Sequence, residues 1–299
     1  MDLNVINDYK CVLGEGPCWD DELGKLWYID GLQENCFGTD LHLYDPETGS
    51  DRRWHIDRAL GCAIPAKDSR VLLNLQDGIF LFDTETRKYE ELSDLERDID
   101  NNRLNDGKCD SKGRFWFGSM SRTANQPGVD FEITGSFYSM EHDGTVRKWF
   151  EGVGISNGLA WNAEETKLYY VDSTPMAIYS FDFDLEKGEI CNRRKIIELD
   201  GTDGVPDGMT IDAEGNLWVA HFGGWKVSCW NPEAGVKLSE IALPAAQVTC
   251  PAFGGPDYED LYITTASIGL SAEDRKNQPL AGCTFVVKPG VKGCRPNRF

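Results

Sequence analysis

Apolar and polar positions along this 299-residue chain follow a unit that recurs at intervals of about 45 residues. Each unit contains a short segment rich in β-branched and aromatic residues, with a polar turn before it. The six segments are KLWYID, RVLLNL, RFWFGS, KLYYVD, NLWVAH and DLYITT, which begin at Lys25, Arg70, Arg114, Lys167, Asn216 and Asp260. A strand-turn-strand pattern of this kind is typical of β-hairpins.

Further strand-and-turn pairs follow each segment, for example LHLYDPETGS and IFLFDTETRK. Each unit therefore holds about four strands, which is the content of one propeller blade. The second unit is inferred mainly from its spacing. No stretch shows a sustained helical period, and no Pro/Ser-rich linker divides the chain. The pattern predicts an all-β fold, a six-bladed β-propeller of about four antiparallel strands per blade, in a single domain covering 1–299.

Composition narrows the possible partners. Hydrophobic residues make up 40% of the chain, enough for a sizeable core, and the formal net charge is −20. Such acidity argues against nucleic acid, whose phosphates are neutralised by Lys and Arg, and against an anionic membrane surface. The N-terminus does not resemble a signal peptide, and no apolar run is long enough to span a membrane. The ten cysteines are spread singly, so we expect mostly reduced, buried thiols in a cytoplasmic protein.

Candidate chemistry lies in four short segments: GEGP at 14–17, LNDGK at 104–108, SNGLAW at 156–161 and PDGM at 206–209. We expect them in the loops that enter the innermost strands. By the repeat, Glu15, Asn105, Asn157 and Asp207 are equivalent positions and should converge on the channel. Carboxylate and amide oxygens suit one divalent cation such as Ca²⁺, Mg²⁺, Mn²⁺ or Zn²⁺. Taken singly, Asn-Gly and Asp-Gly are ordinary turn dipeptides. Their equivalent positions in four units of the repeat favour a metal-binding site instead.

The chain resembles the senescence marker protein, regucalcin and gluconolactonase family, which includes luciferin-regenerating enzymes. The resemblance runs nearly end to end through GEGPCWD, NNRLNDGKCD, GRFWFGSM, SNGLAW, PDGMTIDAEGNLWVA and AFGGPDYEDLYITTA. It implies a six-bladed propeller, a divalent metal held by Glu15, Asn157 and Asp207, and substrate contacts from Arg103 and Asn105. The chain departs from the family after Met120: the sequence reads Ser-Arg-Thr at 121–123, where many members carry an acidic residue for substrate hydroxyls.

These residues favour metal-dependent hydrolysis of a sugar lactone, with Asp207 as general base. Two alternatives stay open: a metal-dependent phosphoester or organophosphate hydrolase, and a non-catalytic calcium-binding propeller. Arg103 has a simpler interpretation as an ion-pair partner of Asp98 or Asp100. The pattern does not decide whether Ser173 reaches the channel, nor the natural lactone, the physiological metal or the oligomeric state.

Overall fold

The six predicted units fold into six four-stranded antiparallel sheets. The computed structural model describes residues 2–31, 39–124 and 130–299. The chain begins with the short strand β1 at Asn4–Val5, which belongs to blade six, and enters blade one at β2. Strands β2 to β5 of blade one span Gly14–Asp20, Lys25–Asp30, Thr39–Tyr44 and Asp51–Ile56. Strands β6 to β9 of blade two span Leu60–Pro65, Arg70–Leu75, Gly78–Asp83 and Tyr89–Ser93.

The next three blades repeat this order. Strands β10 to β13 span Asn102–Cys109, Phe115–Ser121, Gly135–Met140 and Val146–Val153. Strands β14 to β17 span Ser156–Trp161, Lys167–Asp172, Ala177–Asp184 and Glu189–Glu198. Strands β18 to β21 span Val205–Ile211, Leu217–Phe222, Lys226–Asn231 and Val236–Ala242. The predicted six-bladed β-propeller is confirmed, including the weakly patterned second blade.

The sixth blade is built from both ends of the chain. Strands β22, β23 and β24 span Val248–Gly254, Asp260–Thr265 and Phe285–Val287. Strand β1 supplies the fourth strand by pairing antiparallel with β24. Pairing of the N-terminal strand with the last strand closes the ring.

The six predicted segments form the second strand of each blade, and this strand is buried on both faces. In β3, Trp27 and Ile29 pack toward blade two, whereas Leu26 and Tyr28 pack toward blade six. Burial on both faces explains why these strands read as continuous apolar runs. Among the described residues, six buried clusters lie one at each blade–blade interface.

A repeated hydrogen bond explains the acidic turn before three of these six segments. The indole Nε1 of Trp27 donates to Asp20 at 3.1 Å, and Trp116 and Trp218 donate in the same way to Asp110 and Asp212 at 2.9 Å. These tryptophans are almost fully buried and pack between the sheets.

Helix is scarce, as expected. The described residues contain one α-helix, α1 at Ala272–Asn277, which is too short to cross a membrane. Nine cysteines in this part of the chain are free thiols, most of them buried, which agrees with the reduced state expected. Cys36 lies outside the described residues.

Candidate functional site

The innermost strand of every blade carries an irregularity at the same place. Pairing between the first and second strands shifts register in all six blades, between Glu15 and Cys18, Leu60 and Cys62, Leu104 and Gly107, Asn157 and Leu159, Pro206 and Met209, and Val248 and Cys250. A bulge leaves a residue unpaired and re-aims its side chain. Glu15, Asn105, Asn157 and Asp207 lie at or directly beside this bulge in their four blades.

Glycine at the bulge permits close approach of neighbouring innermost strands. A Cβ added to Gly158 would lie 2.5 Å from the Cβ of Met209, and one added to Gly208 would lie 2.5 Å from the Cβ of Cys250. The expectation that the glycine-containing segments are loops is thus wrong. They are strand residues, and Gly158 and Gly208 reflect crowding at the axis rather than a turn, whereas Gly16 has a positive φ of 52°.

All five predicted site residues come together in one cavity of about 90 Å³ at the end of the channel where the innermost strands begin. Glu15, Arg103, Asn105, Asn157 and Asp207 all line this cavity. They come from four blades, so the convergence expected from the repeat is confirmed. We call this space the site cavity.

A directional chain of hydrogen bonds crosses the site cavity. Arg103 Nη1 donates to Asn105 Oδ1 at 2.6 Å, and Asn105 Nδ2 donates to Asn157 Oδ1 at 3.1 Å. Asn157 Nδ2 then donates to Ser173 Oγ at 2.8 Å, and Ser173 Oγ donates to the Pro206 carbonyl at 2.7 Å. A guanidinium can only donate a hydrogen bond and a carbonyl can only accept one. The two ends of the hydrogen-bond chain therefore fix the orientation of the Asn105 and Asn157 amides between them.

Two carboxylates share the site cavity. Burial is the main cause that raises the pKa of Glu15 to about 8, and the nearby Asp106 carboxylate adds to it. Burial and the charge of Glu15 likewise raise the pKa of Asp207 well above its ordinary value. Within residues 2–31, 39–124 and 130–299, no side chain hydrogen bonds to the Asp207 carboxylate. Two such groups in one cavity repel each other unless a proton or a cation is present.

Arg103 contributes a positively charged side chain to the site cavity. Burial lowers its pKa to about 10, while the charges of Glu15 and Asp207 oppose that change, so the guanidinium stays protonated near neutral pH. Its hydrogen bonds go to Asn105 and to the Leu104 carbonyl. In the described part of the chain, no ion pair joins Arg103 to Asp98 or Asp100, so the simpler interpretation from sequence is wrong.

A second, larger cavity of about 350 Å³ lies at the opposite end of the channel. The far halves of the innermost strands and the C-terminal segment around Pro296 line it, and it contains none of the five predicted residues. Asp106 and Lys108 face this space. The two site carboxylates and Arg103 thus line the smaller cavity and not this one.

The donor set of the site cavity fits a divalent cation. Glu15 and Asp207 offer anionic oxygens, and the hydrogen-bond chain turns Asn157 Oδ1 toward the same cavity, a set of hard oxygen ligands. Among the residues that the structure describes, no three His, Cys, Asp or Glu side chains form a metal-binding group.

Sequence reasoning left the position of Ser173 open and missed Asp106, and both residues matter for the geometry. Ser173 links Asn157 to the backbone just before Asp207, and it is 2% exposed. Asp106 follows Asn105 at the bulge and acts on both site carboxylates through its charge. The adjacent Asn-Asp pair was a signal for Asp106, whereas nothing in the pattern around Ser173 revealed its two partners.

Comparison of the sequence with known proteins identifies related chains. The profile of the family described as "SMP-30/Gluconolactonase/LRE-like region" matches residues 13–267. A Bacillus subtilis (strain 168) protein, YvrE, whose name proposes it as a sugar lactone lactonase, is 35% identical over 302 residues, covering 100% of this chain and 99% of its own.

Two solved structures have the same fold over nearly the whole chain. A luciferin-regenerating enzyme is 32% identical with a TM-score of 0.91, covering 99% of this chain and 98% of its own. A regucalcin from Agrobacterium tumefaciens str. C58, described as a calcium-binding protein, is 30% identical with a TM-score of 0.91, covering 99% and 96%. The chain therefore belongs to the SMP-30/gluconolactonase/LRE-like family.

Proposed function

We propose that this protein is a hydrolase that opens a sugar lactone with the help of one divalent cation. The observation that supports it best is the convergence of Glu15, Asn157 and Asp207 with the charged Arg103 in one buried cavity. Lactonase names among relatives support the same reaction class. Glu15, Asn157 and Asp207 would hold the cation.

When bound, the cation would supply Lewis acidity at the lactone carbonyl and lower the pKa of water. Asp207 is the proposed general base. Its carboxylate is close enough to the Glu15 and Arg103 charges to respond to both. A cation would also offset the repulsion between Asp207 and Glu15, which otherwise favours protonated carboxyls, and so leave Asp207 ionised and able to accept a proton.

In the proposed hydrolysis, Asp207 accepts a proton from water, the water oxygen bonds to the carbonyl carbon, and the ring C–O bond breaks. The departing ring oxygen takes up the proton from Asp207, so that the products are a hydroxyl group and a carboxylic acid. The acid then releases its remaining proton to solvent and becomes a carboxylate. Arg103 lies in the same cavity, where its guanidinium would stabilise the carboxylate as it forms.

Asn105 has a narrower role than the sequence indicated. Its amide group donates to the Ser156 carbonyl at 2.7 Å and to Asn157 Oδ1 at 3.1 Å. Both amide hydrogens are therefore engaged within the protein, and Oδ1 already accepts from Arg103. We propose that Asn105 orients Asn157 and Arg103 and contacts a substrate hydroxyl only through the remaining lone pair of Oδ1.

Arg122 bears on the choice of lactone. Its backbone N–H donates to the Asn101 carbonyl at 2.6 Å, which continues the pairing of β10 with β11. Because side chains alternate along a strand, Arg122 lies on the same face as Met120 and Arg103, which line the site cavity. Its positive charge helps to lower the pKa of Arg103. A substrate panel should therefore include lactones that carry a carboxylate beside neutral aldonolactones.

The first prediction concerns Asp207. After removal of metal with a chelator, we expect Ca²⁺, Mg²⁺, Mn²⁺ or Zn²⁺ to restore acid release from glucono-1,5-lactone or another lactone of the panel. Asp207→Asn should lower kcat by about 10²–10⁴-fold, since it removes the general base. Spontaneous lactone opening is subtracted from each rate.

Asp200→Asn is the matched control, because Asp200 is an exposed aspartate in the loop before β18 that bonds to Thr202. It should retain the full rate. Turnover of a phosphotriester but of no lactone would contradict the proposal and favour a phosphoester hydrolase. Metal binding without turnover of either class would favour the non-catalytic calcium-binding propeller.

A further inference from the structure

Ser173 lies at the end of β15 and joins two of the blades that build the site cavity. Its hydroxyl accepts from Asn157 Nδ2 on β14 and donates to the carbonyl of Pro206 on β18. Asn157 and Asp207, the residue after Pro206, are two of the three proposed cation ligands. Ser173 itself lines the site cavity yet is 2% exposed.

The direction of these two hydrogen bonds follows from chemistry. The Pro206 carbonyl can only accept, so the one hydroxyl hydrogen of Ser173 is committed to it. Ser173 Oγ is then an acceptor toward Asn157, which must present its Nδ2 to Ser173. Asn157 Oδ1 is consequently held on the opposite side of the amide, where it accepts from Asn105 Nδ2.

Orientation of the Asn157 amide decides whether it can bind a cation. Its oxygen is a ligand, whereas its NH₂ group presents two N–H hydrogens and would repel a cation. Without Ser173, the Asn157 NH₂ group and the Pro206 carbonyl would each lose a buried partner. The amide could then rotate, and the backbone beside Asp207 would lose its link to blade four.

We propose that Ser173 is a positioning residue, which fixes the oxygen of Asn157 toward the cation and couples it to the backbone that carries Asp207. The inference rests on the proposed function, because it presupposes a cation at Glu15, Asn157 and Asp207. Ser173 touches neither the cation nor the reacting atoms in this role.

Isothermal titration of the full-length, metal-free protein with Ca²⁺ and with Mn²⁺ tests it without any substrate. Ser173→Ala removes both hydrogen bonds and should weaken binding about 10–100-fold, the usual effect of losing an outer partner of a ligand. Ser173→Cys keeps nearly the same volume but has a weak S–H group, so its affinity should fall between those of Ser173→Ala and the parent protein. Thermal unfolding of both variants checks that the fold is retained.

Ser228→Ala is the matched control. Ser228 is equally buried and also bonds two side chains, His221 and Trp230, but it does not line the site cavity. It should lose stability and keep the parent affinity.

Equal affinity in Ser173→Ala and the parent protein would overturn the role of Ser173 alone. Absence of Ca²⁺ and Mn²⁺ binding in the parent would overturn both this inference and the metal site. Weakened binding in Ser173→Ala without lactone turnover by the parent would leave Ser173 supported and the lactonase proposal contradicted.

Discussion

At the residue scale, the site cavity concentrates groups that oppose folding. Glu15 and Asp207 line this cavity, the charge of the nearby Asp106 acts on both, and burial raises the pKa of all three carboxyls. One oxygen of Asp106, Oδ2, is buried without a hydrogen-bond partner in the described structure. Strained electrostatics of this kind are typical of functional sites, where binding a ligand offsets the unfavourable free energy.

His221 shows the opposite arrangement, a buried titratable group with its partners in place. Nδ1 donates to the Asp203 carbonyl at 2.8 Å, so Nε2 is the acceptor for the Ser228 hydroxyl at 2.6 Å. This neutral tautomer uses both ring nitrogens. Its side chain is fully buried, and this burial lowers the pKa of His221 below its ordinary value.

The second prediction follows from the sign of that pKa shift. The unfolded chain binds a proton at His221 near pH 6.5, whereas the folded protein binds it only at a lower pH. The stability that neutral His221 contributes is therefore present above pH 6.5 and is lost as the pH falls below that value. The free energy of unfolding, from urea titration, should therefore fall less between pH 7.5 and 5.5 in His221→Asn than in the parent protein. The difference is limited to about 1.4 kcal/mol per pH unit for one proton. An equal fall in both proteins would contradict a lowered pKa.

At the element scale, the C-terminal segment 291–299 joins blades six, one and two, which are consecutive in the ring. The Gly293 N–H donates to the Tyr258 carbonyl of blade six, and the Phe299 N–H donates to the Pro65 carbonyl of blade two. Between them, Arg298 pairs with Asp20 of blade one. The segment thus spans the end of the channel opposite the site cavity and lines the larger cavity there.

Two arginines of this segment give the third prediction. Arg298 pairs with the Asp20 carboxylate, which is 2% exposed, whereas Arg295 pairs with Asp21 through a guanidinium whose side chain is 67% exposed. Arg298→Ala should lower the free energy of unfolding by about 1.5–3 kcal/mol, because it removes hydrogen bonds from a buried charge. Arg295→Ala should cost about 0–1 kcal/mol. Urea unfolding of the two variants measures both values, and equal losses would contradict the role of burial.

At the scale of the whole molecule, closure of the ring depends on a very short strand. Strand β1 pairs Asn4 with Val286 and Val5 with Phe285, and the Ile6 N–H donates to the Thr284 carbonyl at 3.0 Å. Ile6 is buried in the cluster between blades six and one. These contacts join the two ends of the chain.

The fourth prediction is that removing the residues before Asn7 lowers the stability of the entire propeller. Burial of Ile6 contributes about 1.5–3 kcal/mol, and each backbone hydrogen bond about 0.5–1.5 kcal/mol. Because apolar clusters join each blade to both neighbours, we expect one unfolding transition at a lower temperature in calorimetry, not separate melting of one blade. An unchanged Tm, or an additional early transition, would contradict closure by β1.

Patterns among residues close together in the chain were enough to predict the repeating elements. Alternation of apolar and polar positions, β-branched residues and turn residues predicted six blades of four strands. The weakly patterned second blade was predicted from the spacing of the repeat. The same repeat placed Glu15, Asn105, Asn157 and Asp207 at equivalent positions and correctly predicted their convergence. Their roles as ligand, base or substrate contact stay predictions.

How those positions act on one another depends on contacts between blades. Gly158 and Gly208 looked like turn residues in the sequence, but they are strand residues crowded by the innermost strand of the next blade. The link from Asn157 through Ser173 to Pro206, and the effect of Asp106 on Glu15, join residues far apart in the chain. Closure by β1 and the course of the C-terminal segment have the same origin. Such contacts exist only once the ring has formed, so no local pattern along the chain encodes them.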